Sequence, residues 1–259
     1  MTKSVAEEVL PILREAHLVL QKAGIYDKVL AFLQRKNAYP IVILGASGTG
    51  KTALLRSLAG LQPSVRREDR TDEVTPAKQK LGEAYLEIID TPGETEHKTK
   101  RDAFFRELNK KKSIGVINVV SYGYHEGKAP LATAIDGERA STDFLGERRK
   151  IELALLKEWV GPICGKGGCV SWVVTVVTKA DLWWEPGPDQ SVLKYYGENP
   201  YLSAFSASDD VPHSVRSYSS LNHLFYDRSP MSGYYSDTRR EEDHIALVAH
   251  LLSKASEHG

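Results

Sequence analysis

The sequence predicts an α/β fold, a mainly parallel sheet covered by helices on both faces. Three observations carry this. Short, nearly unbroken apolar runs at 40–44, 114–121 and 170–178 have the character of central strands buried on both faces. Amphipathic helical stretches alternate with them, the order that builds parallel sheets. Three short motifs rich in Gly, Asp and Thr stand at the ends of such runs, the sheet edge where α/β folds hold ligands. The chain has 259 residues, 41% hydrophobic and 26% charged, enough for one enlarged domain with a sizeable core. Lys plus Arg and Asp plus Glu both number 34, so no global field draws the protein to nucleic acid or anionic lipid. The two cysteines, Cys164 and Cys169, are too few for a four-ligand zinc site and read as reduced thiols. No long apolar run or lipidation motif is present, which leaves the expectation of a cytoplasmic protein.

Residues 1–38 read as an N-terminal helical extension, a hairpin of two helices. Val5, Val9, Ile12, Ala16 and Leu20 recur at helical spacing, Gly24 breaks the run, and Ile25, Val29, Phe32 and Leu33 form a second stripe. After the 40–44 strand and a glycine-rich turn, 53–59 reads as a helix, and 62–73 as a polar loop. Segments 74–81 and 84–90 read as a strand pair turning near Gly82, with Pro76 confining the first to a sheet edge. A helix rich in bases is expected at 97–111; such runs are usually solvated faces. The 144–160 helix is expected to bury Ile151, Leu155 and Trp159. The stretch 185–212 shows no clear period. A last strand is expected at 213–218, and a closing helix at 241–254 with Ile245, Val248, Ala249 and Leu252 inward.

The first motif is Gly45-Ala46-Ser47-Gly48-Thr49-Gly50-Lys51-Thr52, set between strand and helix as a P-loop requires. Its glycines let the backbone approach phosphates, and its N–H groups form an anion nest at a helix N-terminus. Lys51 brings a point charge to the β- and γ-phosphates, and Thr52 a hydroxyl for Mg²⁺. The second is Asp90-Thr91-Pro92-Gly93. Asp90, ending an apolar strand, suits Mg²⁺, and the N–H of Gly93 can approach a terminal phosphate. A second metal-reaching threonine is sought just beyond the hairpin pairing. With residue 74 opposite Asp90, Thr71 fits better than Thr75, and a register slip reverses that choice. The third is Thr178-Lys179-Ala180-Asp181. A carboxylate there can accept two hydrogen bonds from the N1–H and 2-amino group of guanine, donors that adenine lacks. The stem of Lys179 can lie along the base. Ser219 and Ser220 are the expected supporting loop, with Ser206 and Ala207 the rival. Trp183 and Trp184 read as core residues.

These residues resemble the translation-factor-related (TRAFAC) class of P-loop GTPases. The resemblance covers about residues 40–221. It implies a three-layer, Ras-like P-loop NTPase domain at 39–259 with a mainly parallel six-stranded sheet. It further implies GTP and GDP as ligands, Mg²⁺ as cofactor, and switching between two states with hydrolysis of GTP. Lys51, Thr71, Gly93 and Glu94 are the catalytic candidates, and Thr52, Thr71 and Asp90 the metal candidates. Two departures stand out. Glu94 occupies the place where many relatives carry the glutamine that orients water, so hydrolysis is expected to be slow or to need a partner's residue. His97 reads as a surface histidine rather than its substitute. An insertion at 122–168, with the N-terminal helices and the switch regions, is the expected seat of protein partners. A binding scaffold with little turnover is the alternative, and an ATPase is suggested only by the wording of the first motif.

Overall fold

The computed structural model describes residues 19, 39–58, 75–81, 84–90, 105, 106, 108, 113–125, 130–164, 169–186, 191–198, 200–205, 211–227 and 233–258. Its strands are β1 Tyr39–Gly45, β2 Thr75–Leu81, β3 Ala84–Asp90, β4 Ile114–Val120, β5 Ile135–Asp136, β6 Arg139–Ala140, β7 Val170–Val177 and β8 His213–Ser217. The main sheet has the order β2-β3-β1-β4-β7-β8, and β5 pairs with β6 in a small separate hairpin. Five strands of the main sheet run parallel, and β2 lies antiparallel on the edge beside β3. Pro76 is therefore on an edge strand, where its missing N–H interrupts no inner ladder.

Alternation along the strands divides the core in two. Val42, Leu44, Val116, Val120, Val173 and Val177 face one side. Ile41, Ile43, Ile117, Val119, Val174 and Val176 face the other. The first face is covered by α3 Thr142–Cys164, α4 Ala180–Trp183 and α5 Ser191–Gly197. The second is covered by α1 Lys51–Leu58 and α6 Asp237–His258. The short α2 Leu131–Ala134 precedes the β5–β6 hairpin. The result is a three-layer α/β/α fold.

Several elements differ from the sequence reading. The α6 helix begins at Asp237, because Ser236 Oγ accepts the Arg239 N–H at 3.1 Å and caps it. Its stripe of Ile245, Val248, Ala249 and Leu252 is buried. In α3 the expected stripe is displaced: Ile151 is 42% exposed, while Glu152, Leu156 and Val160 are buried beside Leu155 and Trp159. Inside 185–212 lie α5 and a 3₁₀ turn at Leu202–Phe205, packed around the fully buried Tyr196 and Tyr201, whose rings meet edge-on at 4.8 Å. In the β2–β3 hairpin, Thr75 and not residue 74 lies opposite Asp90. The pairing of Leu81 with Ala84 belongs to the same register.

Apart from Val19, the N-terminal extension lies outside the described residues, as do 62–73 and most of 97–111. In the last of these, Phe105 and Leu108 are described and buried. Cys164 and Cys169 are buried and not joined in a disulfide, and burial pushes the Cys164 thiol up to about 12, which leaves it inert. No helix among the described residues is long and apolar enough to cross a membrane.

Candidate functional site

The ends of β1, β3, β4, β7 and β8 lie side by side at the C-terminal edge of the sheet, and the three motifs follow β1, β3 and β7 there. β1 ends at Gly45, whose backbone passes so close to β4 that a Cβ would sit 2.3 Å from the Val119 carbonyl oxygen. Only glycine fits this approach. The loop then turns through Gly48 and Gly50, both at positive φ. Thr49 Oγ1 donates to the Ala46 carbonyl at 2.9 Å. Lys51 is buried, and its Nζ donates to the Gly45 and Ala46 carbonyls at 2.9 and 3.0 Å. The ammonium thus closes the loop on itself. Ala46 is buried, Ser47 is half-buried, Gly48 is exposed, and Thr52 is half-buried in the first turn of α1.

The third motif is tied to this loop. Thr178 Oγ1 lies 2.5 Å from the Thr49 carbonyl oxygen and 2.9 Å from that of Val120, so its hydroxyl bonds the P-loop, β4 and the end of β7 together. Lys179 takes a left-handed conformation, with φ of 54°, and its Nζ donates to the Tyr124 carbonyl at 2.6 Å. The Trp183 indole N–H donates to the Thr178 carbonyl at 2.7 Å, and Trp183 and Trp184 are both buried, as expected of core residues.

Asp181 is 2% exposed and sits in the first turn of α4. Its Oδ1 accepts the Ser219 hydroxyl at 2.5 Å, and its Oδ2 accepts the His223 backbone N–H at 2.5 Å. His223 Nδ1 lies 3.0 Å from Oδ1. Burial pushes this carboxyl up, but His223 and Ser219 outweigh it and hold the pKa below the usual range, so the group is ionised. Ser219 is fully buried beneath it and Ser220 is half-buried. The rival pair, Ser206 and Ala207, lies outside the described residues.

A cluster absent from the sequence reading backs this edge. Glu152 of α3 is buried, and its Oε1 accepts the Ser121 N–H at 2.9 Å and the Gly123 N–H at 3.3 Å. Its Oε2 accepts the Tyr196 hydroxyl at 2.6 Å. His125 Nδ1 lies 3.4 Å from Oε1. Burial pushes the Glu152 carboxyl up, but His125, Tyr196 and the Ser121 N–H together hold it low. The loop pinned in this way, 121–125, offers the Tyr124 carbonyl that anchors Lys179, and His125 packs beside Gly48. Nothing local in the sequence marks Glu152, because its donors come from two segments distant from it along the chain.

Asp90 ends β3 opposite Ile43, two residues before the P-loop begins, so its backbone stands at the same edge. Thr71, Gly93, Glu94 and His97 lie outside the described residues. The donor chemistry suits Mg²⁺: a hydroxyl at Thr52 and a carboxylate at Asp90 are hard oxygen ligands, and this ion takes few protein ligands beside phosphates and water. No cluster of three or more His, Cys, Asp or Glu that could hold a metal on its own occurs among the described residues.

Residues 40–154 match the family described as 50S ribosome-binding GTPase. No curated protein matches the chain. Among solved structures, a dimerization-deficient mutant of Toc33 from Arabidopsis thaliana is similar at 15% identity and a TM-score of 0.52, over 90% of this chain and 92% of that one. Toc33 in complex with Mg²⁺ and GMPPNP is similar at 16% identity and a TM-score of 0.52, over 91% of this chain and 93% of that one. These likenesses show the fold. Residues 40–154 resemble the GTPase family whose model they match.

Proposed function

Taking a Ras-like P-loop GTPase fold as the premise, we propose that this chain is a molecular switch that binds GTP and GDP with Mg²⁺ and hydrolyses GTP to GDP and phosphate. One observation supports this above others. A buried, ionised carboxylate, Asp181, stands at the strand end next to the P-loop's partner strand, and the Thr178 hydroxyl ties its motif to that loop. In this reading the carboxylate accepts the two donors of the guanine edge, and the rejection of adenine follows from the cost of leaving it unpaired. Ser219 orients it, with Ser220 beside it, and Lys179 flanks the base.

The N–H groups of residues 46–50 and the Lys51 ammonium stabilise charge on the transferring phosphoryl group. Thr52, Asp90 and Thr71 would hold Mg²⁺, which when bound neutralises charge on the β- and γ-phosphates; Thr75 is taken up in the pairing with Asp90, and Thr71 still lies beyond it in sequence. The Gly93 N–H senses the γ-phosphate and releases the following segment once it leaves. Glu94 is a poor water-orienting group because its charge is repelled by the γ-phosphate, so a partner is expected to complete the site. That partner would engage the switch regions, the insertion at 122–168 or the helices at 1–38.

Glu94 also favours a second reading, a nucleotide-binding scaffold that signals by occupancy with little turnover. Multiple-turnover phosphate release from GTP, with and without cell extract, separates the two. Release well above that of Lys51→Ala in at least one condition is expected. Release no greater than that variant's in both conditions would remove hydrolysis and leave the scaffold.

A further inference from the structure

We propose that His223 is an internal competitor for the base-reading carboxylate, so that a guanine nucleotide must displace it to bind; this deepens the guanine reading of Asp181 and rests on it. His223 places a donor on each oxygen of Asp181: its backbone N–H on Oδ2 at 2.5 Å and its ring Nδ1 beside Oδ1 at 3.0 Å. Guanine presents the same pattern, two adjacent donors for the two oxygens of one carboxylate. An ionised carboxylate has about four acceptor positions, so the Ser219 hydroxyl, at 2.5 Å, can keep its bond while His223 and the base contend for the others.

With His223 in place, little open space adjoins it. The cavity bordered by Gly50, Leu54, Lys179, Tyr218, Ser220 and His223 is about 10 Å³. That is room for about one water molecule, far below a purine. The strap that carries His223 is held at both ends by the core, and between them by the Arg240 guanidinium, which donates to the exposed Asn222 side chain. Its ends are fixed, at Ser219, fully buried on Asp181, and at Phe225, 1% exposed and packed edge-on against Tyr124. Between them Asn222 and Leu224 are exposed, and the His223 side chain is 19% exposed, so one side of the ring already meets solvent. The closed strap keeps a buried charge satisfied when no base is there, which an unpaired Asp181 would not be. The apparent nucleotide affinity is then the intrinsic affinity reduced by the fraction of molecules with the strap open.

The test is stopped-flow and equilibrium binding of a fluorescent GDP analogue to the full chain, with thermal melts confirming that each variant is folded. His223→Ala removes the ring donor and keeps the backbone N–H; it is expected to bind faster and about tenfold more tightly than the natural protein, the worth of one hydrogen bond to a charged group. His223→Pro removes both donors and is expected to gain further. Asp181→Asn is measured alongside. A His223→Ala protein that binds no faster and no more tightly, while Asp181→Asn loses guanine affinity, overturns the competition and leaves the base reading intact. An Asp181→Asn protein that keeps its guanine affinity overturns the base reading beneath both.

Discussion

Glu152 carries its charge into the interior of α3, where the N–H groups of Ser121 and Gly123, the Tyr196 hydroxyl and the His125 ring surround it. Removing the charge leaves donors gathered around a neutral amide, and one amide N–H₂ must face another donor. Glu152→Gln is therefore expected to lower the unfolding free energy by about 2–4 kcal/mol. It should also weaken nucleotide binding, because loop 121–125 holds Lys179 through the Tyr124 carbonyl. Denaturant unfolding and nucleotide titration of this variant check both, and a protein as stable as the natural one contradicts the account. At this scale the sequence was uneven. Gly45, Lys51, Thr178 and Asp181 could be singled out because each belongs to a contiguous motif with a recognisable spacing, and all four lie at one edge of the sheet. Glu152 and His223 could not, since what each residue does depends on partners 27 to 44 positions away.

The central strands were legible as elements because strands buried on both faces must be apolar at every position, a signal that needs no knowledge of neighbours. The α3 stripe was misread for the complementary reason: Ile151 looks inward by composition, yet the face that packs is the one carrying Glu152. The β2–β3 register differs by one residue, with Leu81 on Ala84 and Thr75 on Asp90, a pairing that the sequence suggests and does not determine. Packing between elements makes its own prediction. Gly115 of β4 lies under the fully buried Trp172 of β7, and a Cβ there would meet the indole at 2.0 Å. Gly115→Ala must push the ring off the sheet and away from Tyr39, on which it stacks at 6.2 Å. A loss of about 1–3 kcal/mol or more is expected, read as a lower thermal midpoint. An unchanged midpoint would mean that the interlock of β4 and β7 is looser than described.

Across the whole molecule, burial holds His213, His244 and His250 neutral down to about 4. In the unfolded chain such groups take a proton near pH 6.5. As pH falls below about 6.5 the unfolded state binds protons that the folded state refuses, and stability drops until the folded histidines titrate. Asp181 and Glu152, held low in the fold, add a second loss of the same sign at more acid pH: their contribution is complete above the unfolded carboxylate range and disappears as pH falls through their folded values. Thermal midpoints from pH 8 to 4 should begin to decline near pH 6.5, and His250→Gln should flatten that decline. A midpoint level down to pH 5 contradicts it. The fold as a whole assembles the P-loop and a buried carboxylate at one sheet edge, and the central claim is that this carboxylate selects the nucleotide. Titration of the natural protein and Asp181→Asn with GDP and xanthosine diphosphate tests it most directly. The natural protein should prefer GDP, and the variant should lose about a hundredfold or more of its GDP affinity while gaining affinity for xanthosine diphosphate, whose ring carbonyl can accept from the new amide. A variant that binds GDP as tightly as the natural protein would contradict the account.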